Sequence, residues 1–149
     1  MQDSMKLSQR LPRYRQKLSV FMRLAEDLAS LSRCGRRRVG AVIVPSDLSG
    51  VLSVGDNVPP AGEPNDSCRG GEGVCGCVHA EASAFVKLAT ERNGLIMLTT
   101  LSPCEHCAGL LLNSGRVSAI VYGEEYRDKR GIELLERRGV DVSTAAILT

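Results

Sequence analysis

Apolar residues recur at helical spacing near the start of the chain and then give way to short unbroken runs. Within residues 13–31, Leu18, Phe21, Met22, Ala25, Leu28, Ala29 and Leu31 fall on one helical face with Arg23, Glu26 and Asp27 opposite, which predicts an amphipathic helix lying on a core. Residues 39–45 are apolar without alternation and of strand length, so they predict a buried strand. Residues 46–50 turn the chain, and residues 51–54 pair back as the second strand of an opening hairpin. The stretch 55–78 shows neither period. It is rich in Gly, Pro, Asn, Asp and Cys, a composition that marks function or disorder in a compact domain, and its cysteines argue against disorder. Beyond it the pattern alternates: a helix from 79 to about 91, a strand 95–99, a helix 104–112, a strand 117–122, a helix 128–138 stopped by Gly139, and a short strand 140–142. Strands alternating with helices run parallel with helices on both faces, and ligands bind at the carboxyl ends of such strands.

Residues 1–12 are polar, so a flexible N-terminus is expected ahead of a single domain over 13–149, large enough to bury about two-thirds of its unfolded surface. No apolar run approaches a membrane span, and the first 16 residues lack the apolar core of a signal peptide. A cytoplasmic protein without a membrane partner is expected, in which six cysteines point to metal rather than to disulfides. The formal charge of +2 is too small to indicate nucleic acid by itself. Its distribution is uneven, because Lys6, Arg10, Arg13, Arg15, Lys17, Arg33, Arg36, Arg37 and Arg38 crowd the first quarter and could meet phosphates. With aromatic residues at 3% and no tryptophan to stack on bases, a solvated helix face and a basic loop is the preferred reading over a nucleic-acid surface.

Two short stretches carry the chemistry: His79-Ala80-Glu81 and Pro103-Cys104-Glu105-His106-Cys107. A neutral imidazole and two thiolates supply three of zinc's four tetrahedral positions, and a fourth position left to water makes such a site catalytic rather than structural. Zinc lowers the pKa of that water from roughly 16 toward about 7, and Glu81 is the carboxylate placed to move its proton. Pro103 is preset for a helix start, which puts Cys104 and Cys107, at i and i+3, on one face of the first turn, where unpaired backbone N–H groups favour thiolates. Taken alone, Cys104 and Cys107 could equally be half of a structural zinc knuckle or a redox pair, but a redox pair leaves His79 and Glu81 without a role. Ala108 after Cys107 excludes a haem-attachment motif.

In this order the two stretches form the H-x-E…P-C-x-x-C signature of zinc-dependent nucleobase deaminases. From about residue 25 to 142 the chain resembles the deoxycytidylate (dCMP) deaminases of phages and bacteria, within the cytidine deaminase-like superfamily. Further matching pieces are Ser32-Arg33-Cys34, Val39 to Ile43, Gly55-Asp56-Asn57, Leu101-Ser102 and Tyr122 to Asp128. The resemblance implies an α/β fold, a three-layer α/β/α sandwich around a five-stranded mixed sheet. It implies hydrolysis of dCMP to dUMP and ammonia in pyrimidine deoxynucleotide metabolism, with Glu81 carrying protons from water to ring N3 and then to the leaving amine. By the same resemblance the Ala80 N–H would hold O2 of the base, the Ser102 carbonyl would orient the amine, and Asn57 would contact the sugar, a plain turn role being the competing reading of Asn57. Tyr126, Arg127 and Lys129 are the candidates for the phosphate, against a merely solvated cluster. A homo-oligomer, with a hexamer favoured, and a host cytoplasm for a phage-encoded chain complete the expectation. Three departures stand out: Gly55-Asp56-Asn57-Val58 where relatives carry Gly-Tyr-Asn-Gly, a loop linked to control by dCTP and dTTP; Ser83 where many have asparagine; and a short segment from Cys68 to Val78.

Setting aside Cys104 and Cys107 leaves Cys34, Cys68, Cys75 and Cys77, the number of thiols a closed structural zinc site requires. Some phage relatives hold an accessory zinc in the corresponding region, so a second, structural Zn2+ is expected beside the catalytic one, with buried free thiols as the alternative. Two other functional readings stay open. One is a deaminase of adenosine or cytidine in tRNA or another polynucleotide, which would use the basic quarter and bind in a salt-dependent way. The other is a non-catalytic zinc-bound module that senses nucleotides, for which Glu81 has no evident use.

Overall fold

In the computed structural model residues 5–69 and 75–149 are described. Helix α1 (Pro12–Ala29) opens on proline, whose missing N–H costs nothing in a first turn, and it buries Leu18, Met22 and Ala25. Strand β1 (Gly40–Val44) is buried at every residue, as its unbroken apolar run requires. Then follow β2 (Ser53–Asp56), α2 (Ala80–Val86), β3 (Leu95–Leu101), α3 (Glu105–Ser114), β4 (Val117–Glu124), α4 (Arg130–Arg137) and β5 (Asp141–Thr144). The sheet order is β2-β1-β3-β4-β5, with β1 antiparallel to both neighbours and β3, β4 and β5 parallel.

Alternation along the central strands separates two cores. Val42, Val44, Ile96, Leu98 and Val121 face α1, while Ala41, Ile43, Leu95, Met97 and Ile120 pack with Ala80 and Ala84 of α2, Ala108 and Leu111 of α3, and Leu135 of α4. This is the expected three-layer α/β/α sandwich around a five-stranded mixed sheet. Among the described residues no helix is long and apolar enough to cross a membrane.

Several boundaries differ from the sequence pattern for identifiable reasons. Helix α2 ends at Val86 rather than near residue 91, and β3 begins at Leu95 as expected but runs on to Leu101. The helix closes at Lys87, where the Leu88 N–H bonds back to the Phe85 carbonyl at 3.1 Å; beyond it the Thr90 hydroxyl accepts the Arg92 N–H at 3.2 Å and the Thr90 carbonyl accepts from the Arg116 guanidinium, so the backbone stays irregular up to β3. Strand β2 lies two residues later than the apolar run 51–54, in register Ile43↔Ser53 to Gly40↔Asp56. The polar stretch expected to be irregular through Pro12 is partly built into the molecule. Leu7 heads a 3-10 turn, is 4% exposed, and donates its N–H to the Asp141 carboxylate at 2.8 Å. Residues 1–4 of that stretch lie outside the described residues.

Candidate active site

His79 is the residue before α2, and Cys104 is the residue before α3, so two helix starts converge. Gly55 on β2 permits the first of these placements: a Cβ there would overlap the Ala80 carbonyl oxygen and lie 2.5 Å from the Ala84 nitrogen. The imidazole Nδ1 of His79 stands 3.5 Å from Cys104 Sγ and 3.4 Å from Cys107 Sγ. Zinc with Zn–S of about 2.3 Å and Zn–N of about 2.0 Å in tetrahedral geometry requires a sulfur–nitrogen edge of about 3.5 Å. The three side chains fit. His79 is exposed, Cys104 half-buried and Cys107 buried, which leaves the set open on the imidazole side.

The electrostatics favour a thiolate at the helix start. A hydrogen bond from the Cys107 thiol, followed by one from His79 and one from the Cys107 N–H, holds Cys104 down to about 3 against the opposing effect of burial. Cys107 is pushed up, first by its contact with Cys104 and then by burial. Contact with Cys104 likewise raises His79. Glu81 is 5% exposed, and burial is the leading reason that its carboxyl titrates above the ordinary carboxylate range. The Thr99 hydroxyl lies 3.5 Å from Glu81 Oε1 but 2.9 Å from the Leu101 carbonyl. A hydroxyl has one proton to give, and the shorter contact takes it, so the Glu81 carboxylate is not tied down by Thr99.

A cavity of about 450 Å³ opens over this set. Ala80, Ser102, Asn57, Tyr126 and Arg127 all line it. Lys129 does not, and instead pairs with Glu125 at 3.4 Å. Ser102 is 2% exposed, and its hydroxyl accepts the Tyr126 N–H at 2.7 Å, which ties the segment after β4 to the end of β3. Asn57 turns out to be a clasp. Its carboxamide oxygen accepts from the Val39 N–H at 2.7 Å and the Ser32 hydroxyl at 2.6 Å, and its nitrogen donates to the Arg37 carbonyl, so one amide hydrogen remains for a ligand. Asn57→Ala is therefore expected to cost about 2–4 kcal/mol by leaving buried partners unpaired, measured by chemical denaturation; a loss below about 0.5 kcal/mol would remove the clasp role.

The sequence pattern missed Arg36 and Arg37 as site residues. Both line the cavity, whereas charge and composition favour a solvated basic loop there. The available signal was the crowding of arginines at residues 33–38 immediately before a buried strand. Arg37 pairs with Glu124 at 3.2 Å, and its guanidinium lies 6.0 Å from the centre of the Tyr126 ring.

The other four cysteines also meet. Cys34 Sγ lies 3.8 Å from Cys68 Sγ and 3.7 Å from Cys75 Sγ, and all four sulfurs, Cys77 included, fall within 4.8 Å of one another. A tetrahedral zinc tetrathiolate has sulfur–sulfur edges of about 3.8 Å. Burial first, then its sulfur neighbours, push the Cys77 thiol up. Cys34, Cys75 and Cys77 share the cavity wall with His79 and Glu81.

The family model described as the cytidine and deoxycytidylate deaminase zinc-binding region matches residues 15–124. The chain belongs to this family. Within it, the chain is 32% identical over 137 residues to the deoxycytidylate deaminase of Saccharomyces cerevisiae, a match covering 83% of this chain and 43% of the yeast protein. It thus spans less than half the length of that relative. The deoxycytidylate deaminase of Mycobacterium phage D29 is 33% identical over 123 residues, covering 70% of this chain and 92% of its own. Among solved structures, the dCMP deaminase of cyanophage S-TIM5 in complex with dCMP and dUMP is 32% identical, with a TM-score of 0.77 over 85% of this chain and 95% of that one. Zinc is the metal this family's region binds, and both cysteine-containing clusters have the spacing for it.

Proposed function

We propose that this chain hydrolyses dCMP to dUMP and ammonia, with residues 13–149 forming a single deaminase domain. The observation that carries the reading is a single cavity in which a buried carboxylate, Glu81, stands beside a His–Cys–Cys set while Arg36, Arg37 and Arg127 line the same walls. The relatives named above carry the same activity in their names, and the cyanophage structure holds dCMP and dUMP.

His79, Cys104 and Cys107 would hold zinc, which when bound supplies a Lewis acid and a water acidic enough to react near neutral pH. Glu81 accepts a proton from the attacking water and delivers it to ring N3, which draws electrons away from C4 as the new C4–O bond forms. The same carboxylate then takes the proton of the new C4 hydroxyl and passes it to the exocyclic nitrogen, the C4–N bond breaks as the C4 carbonyl forms, and ammonia leaves. A carboxyl held above its usual range by burial is suited to carry a proton in both directions. The Ala80 N–H is one of the unpaired donors at the start of α2 and holds O2 of the base. The Ser102 carbonyl accepts from the amine. Arg127, with Arg36 across the mouth, takes the phosphate, since guanidinium groups bind phosphate oxygens in charge-assisted pairs. Asn57 reaches the sugar through its remaining amide hydrogen. Cys34, Cys68, Cys75 and Cys77 would hold a second, structural zinc. Copies of the chain assemble, by the family resemblance, into a homo-oligomer of hexameric size.

The test is ammonia release across dCMP, CMP, deoxycytidine and adenosine-containing RNA. Preference for dCMP is expected, with Arg127→Ala raising KM for dCMP by about tenfold or more while deoxycytidine is affected little, as befits loss of one charge-assisted contact. Activity on RNA alone, or equal rates on dCMP and deoxycytidine, would discard this reading.

A further inference from the structure

Arg36 sits in an irregular loop between two anchors. On its N-terminal side Cys34 meets the sulfurs of Cys68 and Cys75, and the Gly35 N–H donates to Cys68 Sγ at 3.3 Å. On its C-terminal side Asn57 holds the Arg37 carbonyl and the Val39 N–H. The second anchor is built of ordinary hydrogen bonds. The first holds the Cys34 N–H on the Ser32 hydroxyl at 3.2 Å but otherwise rests on sulfur, and without a metal four neighbouring thiols hold one another only weakly. A segment with four arginines in six residues also repels itself. Four thiolates around one divalent cation keep a net negative charge, which offsets the arginines of this loop.

Resting on the dCMP reading above, we propose that the four-cysteine cluster, once metal-bound, is a positioning element for phosphate recognition. By fixing Cys34 and Gly35 it sets where Arg36 stands at the cavity mouth, so preference for a phosphorylated substrate depends on a metal that touches neither the phosphate nor the reacting atoms. Cys68 is the informative residue, because it belongs to the cluster but does not line the cavity.

The experiment uses the full chain carrying Glu81→Gln, so that substrates bind without turnover, and compares it with the same chain carrying Cys68→Ser or Cys68→His in addition. Zinc per chain is measured by atomic absorption, and dissociation constants for dCMP and deoxycytidine by calorimetry. Cys68→Ser is expected to lose one zinc per chain and to bind dCMP about tenfold or more weaker, the scale of one charge-assisted hydrogen bond, while deoxycytidine binds as before. Cys68→His, which restores a ligand, is expected to recover both the zinc and the dCMP affinity. Loss of the zinc with dCMP affinity intact would overturn the proposal, as would equal weakening of both ligands, which is general loosening. The same zinc content in Cys68→Ser and its parent would overturn the metal-bound cluster itself. Failure of the parent to bind dCMP at all would instead overturn the functional reading on which the proposal rests. Should Cys68→Ser not fold, chelation of the parent followed by brief trypsin treatment decides the matter: cleavage after Arg36 and Arg37 is expected to rise as zinc leaves, and resistance in the zinc-free chain would overturn the proposal.

Discussion

Glu81→Gln is expected to lower kcat for dCMP deamination by about 10²- to 10⁴-fold, the usual contribution of a positioned proton carrier. Glutamine keeps the size and one acceptor of the carboxylate but cannot ferry a proton. Zinc content and dCMP binding are expected to stay at their native levels, since Glu81 is not among the residues whose ligand atoms meet in the His–Cys–Cys set. The melting temperature should hold or rise, because a buried carboxyl that resists ionisation is a cost to the fold and an uncharged amide removes part of it. Ammonia release, zinc analysis and thermal denaturation on one preparation test all three. Turnover above about one-tenth of native would remove Glu81 from the proton path. Lost zinc would show that the side chain supports the metal set instead.

The second large effect is expected at a residue with no side chain, packed directly on the backbone of Cys104. Gly131 lies in the first turn of α4, where a Cβ would overlap the Pro103 carbonyl oxygen and stand 2.7 Å from the Cys104 carbonyl carbon. Those atoms are backbone and cannot rotate away. Gly131→Ala must therefore displace either α4 or the turn that presents Cys104 Sγ to His79. A stability loss of about 1–3 kcal/mol is expected, as for overpacked sites, together with weaker zinc retention and a fall in dCMP turnover of about tenfold or more. The matched control is Gly109→Ala in α3, where a Cβ meets open space. There alanine should add up to about 1 kcal/mol through helix propensity and leave activity alone. Equal behaviour of the two variants would show that the α4–Cys104 contact does not position the sulfur.

The layers of the fold and the metal-binding motifs were legible because each is written locally. The stripe of α1, the unbroken run of β1 and the pairs His79/Glu81 and Cys104/Cys107 each lie within one element or at its start. What stayed hidden depends on contacts between elements. The shift of β2 to Ser53–Asp56 follows from β1 register, not from where the valines and leucines lie. The residues after α2 are held in an irregular path by Thr90, which accepts from the Arg92 N–H and from the distant Arg116 guanidinium. Asn57 read equally as a turn residue or a sugar contact, and only the fold brings Ser32, Arg37 and Val39 to its carboxamide. Lys129 looked equivalent to Arg127 in sequence, yet the cavity wall includes only Arg127. The arginines at 36 and 37 were visible as charge, while their place at the cavity mouth required knowing where the 55–78 segment returns.

That segment returns through an antiparallel bridge. Val58 and Val78 exchange backbone hydrogen bonds of 3.2 and 2.8 Å, immediately before His79. A connection tied off at its base in this way is insulated from its own length: extending it changes closure entropy by only about 0.6 kcal/mol per doubling, and the strain stops at the bridge. Residues 59–67, between the bridge and Cys68, the first cluster cysteine of this segment, thus offer a place for an insert. Longer versions could be spliced in to build a deeper vestibule or a docking arm, and the histidine one step beyond the knot would not move.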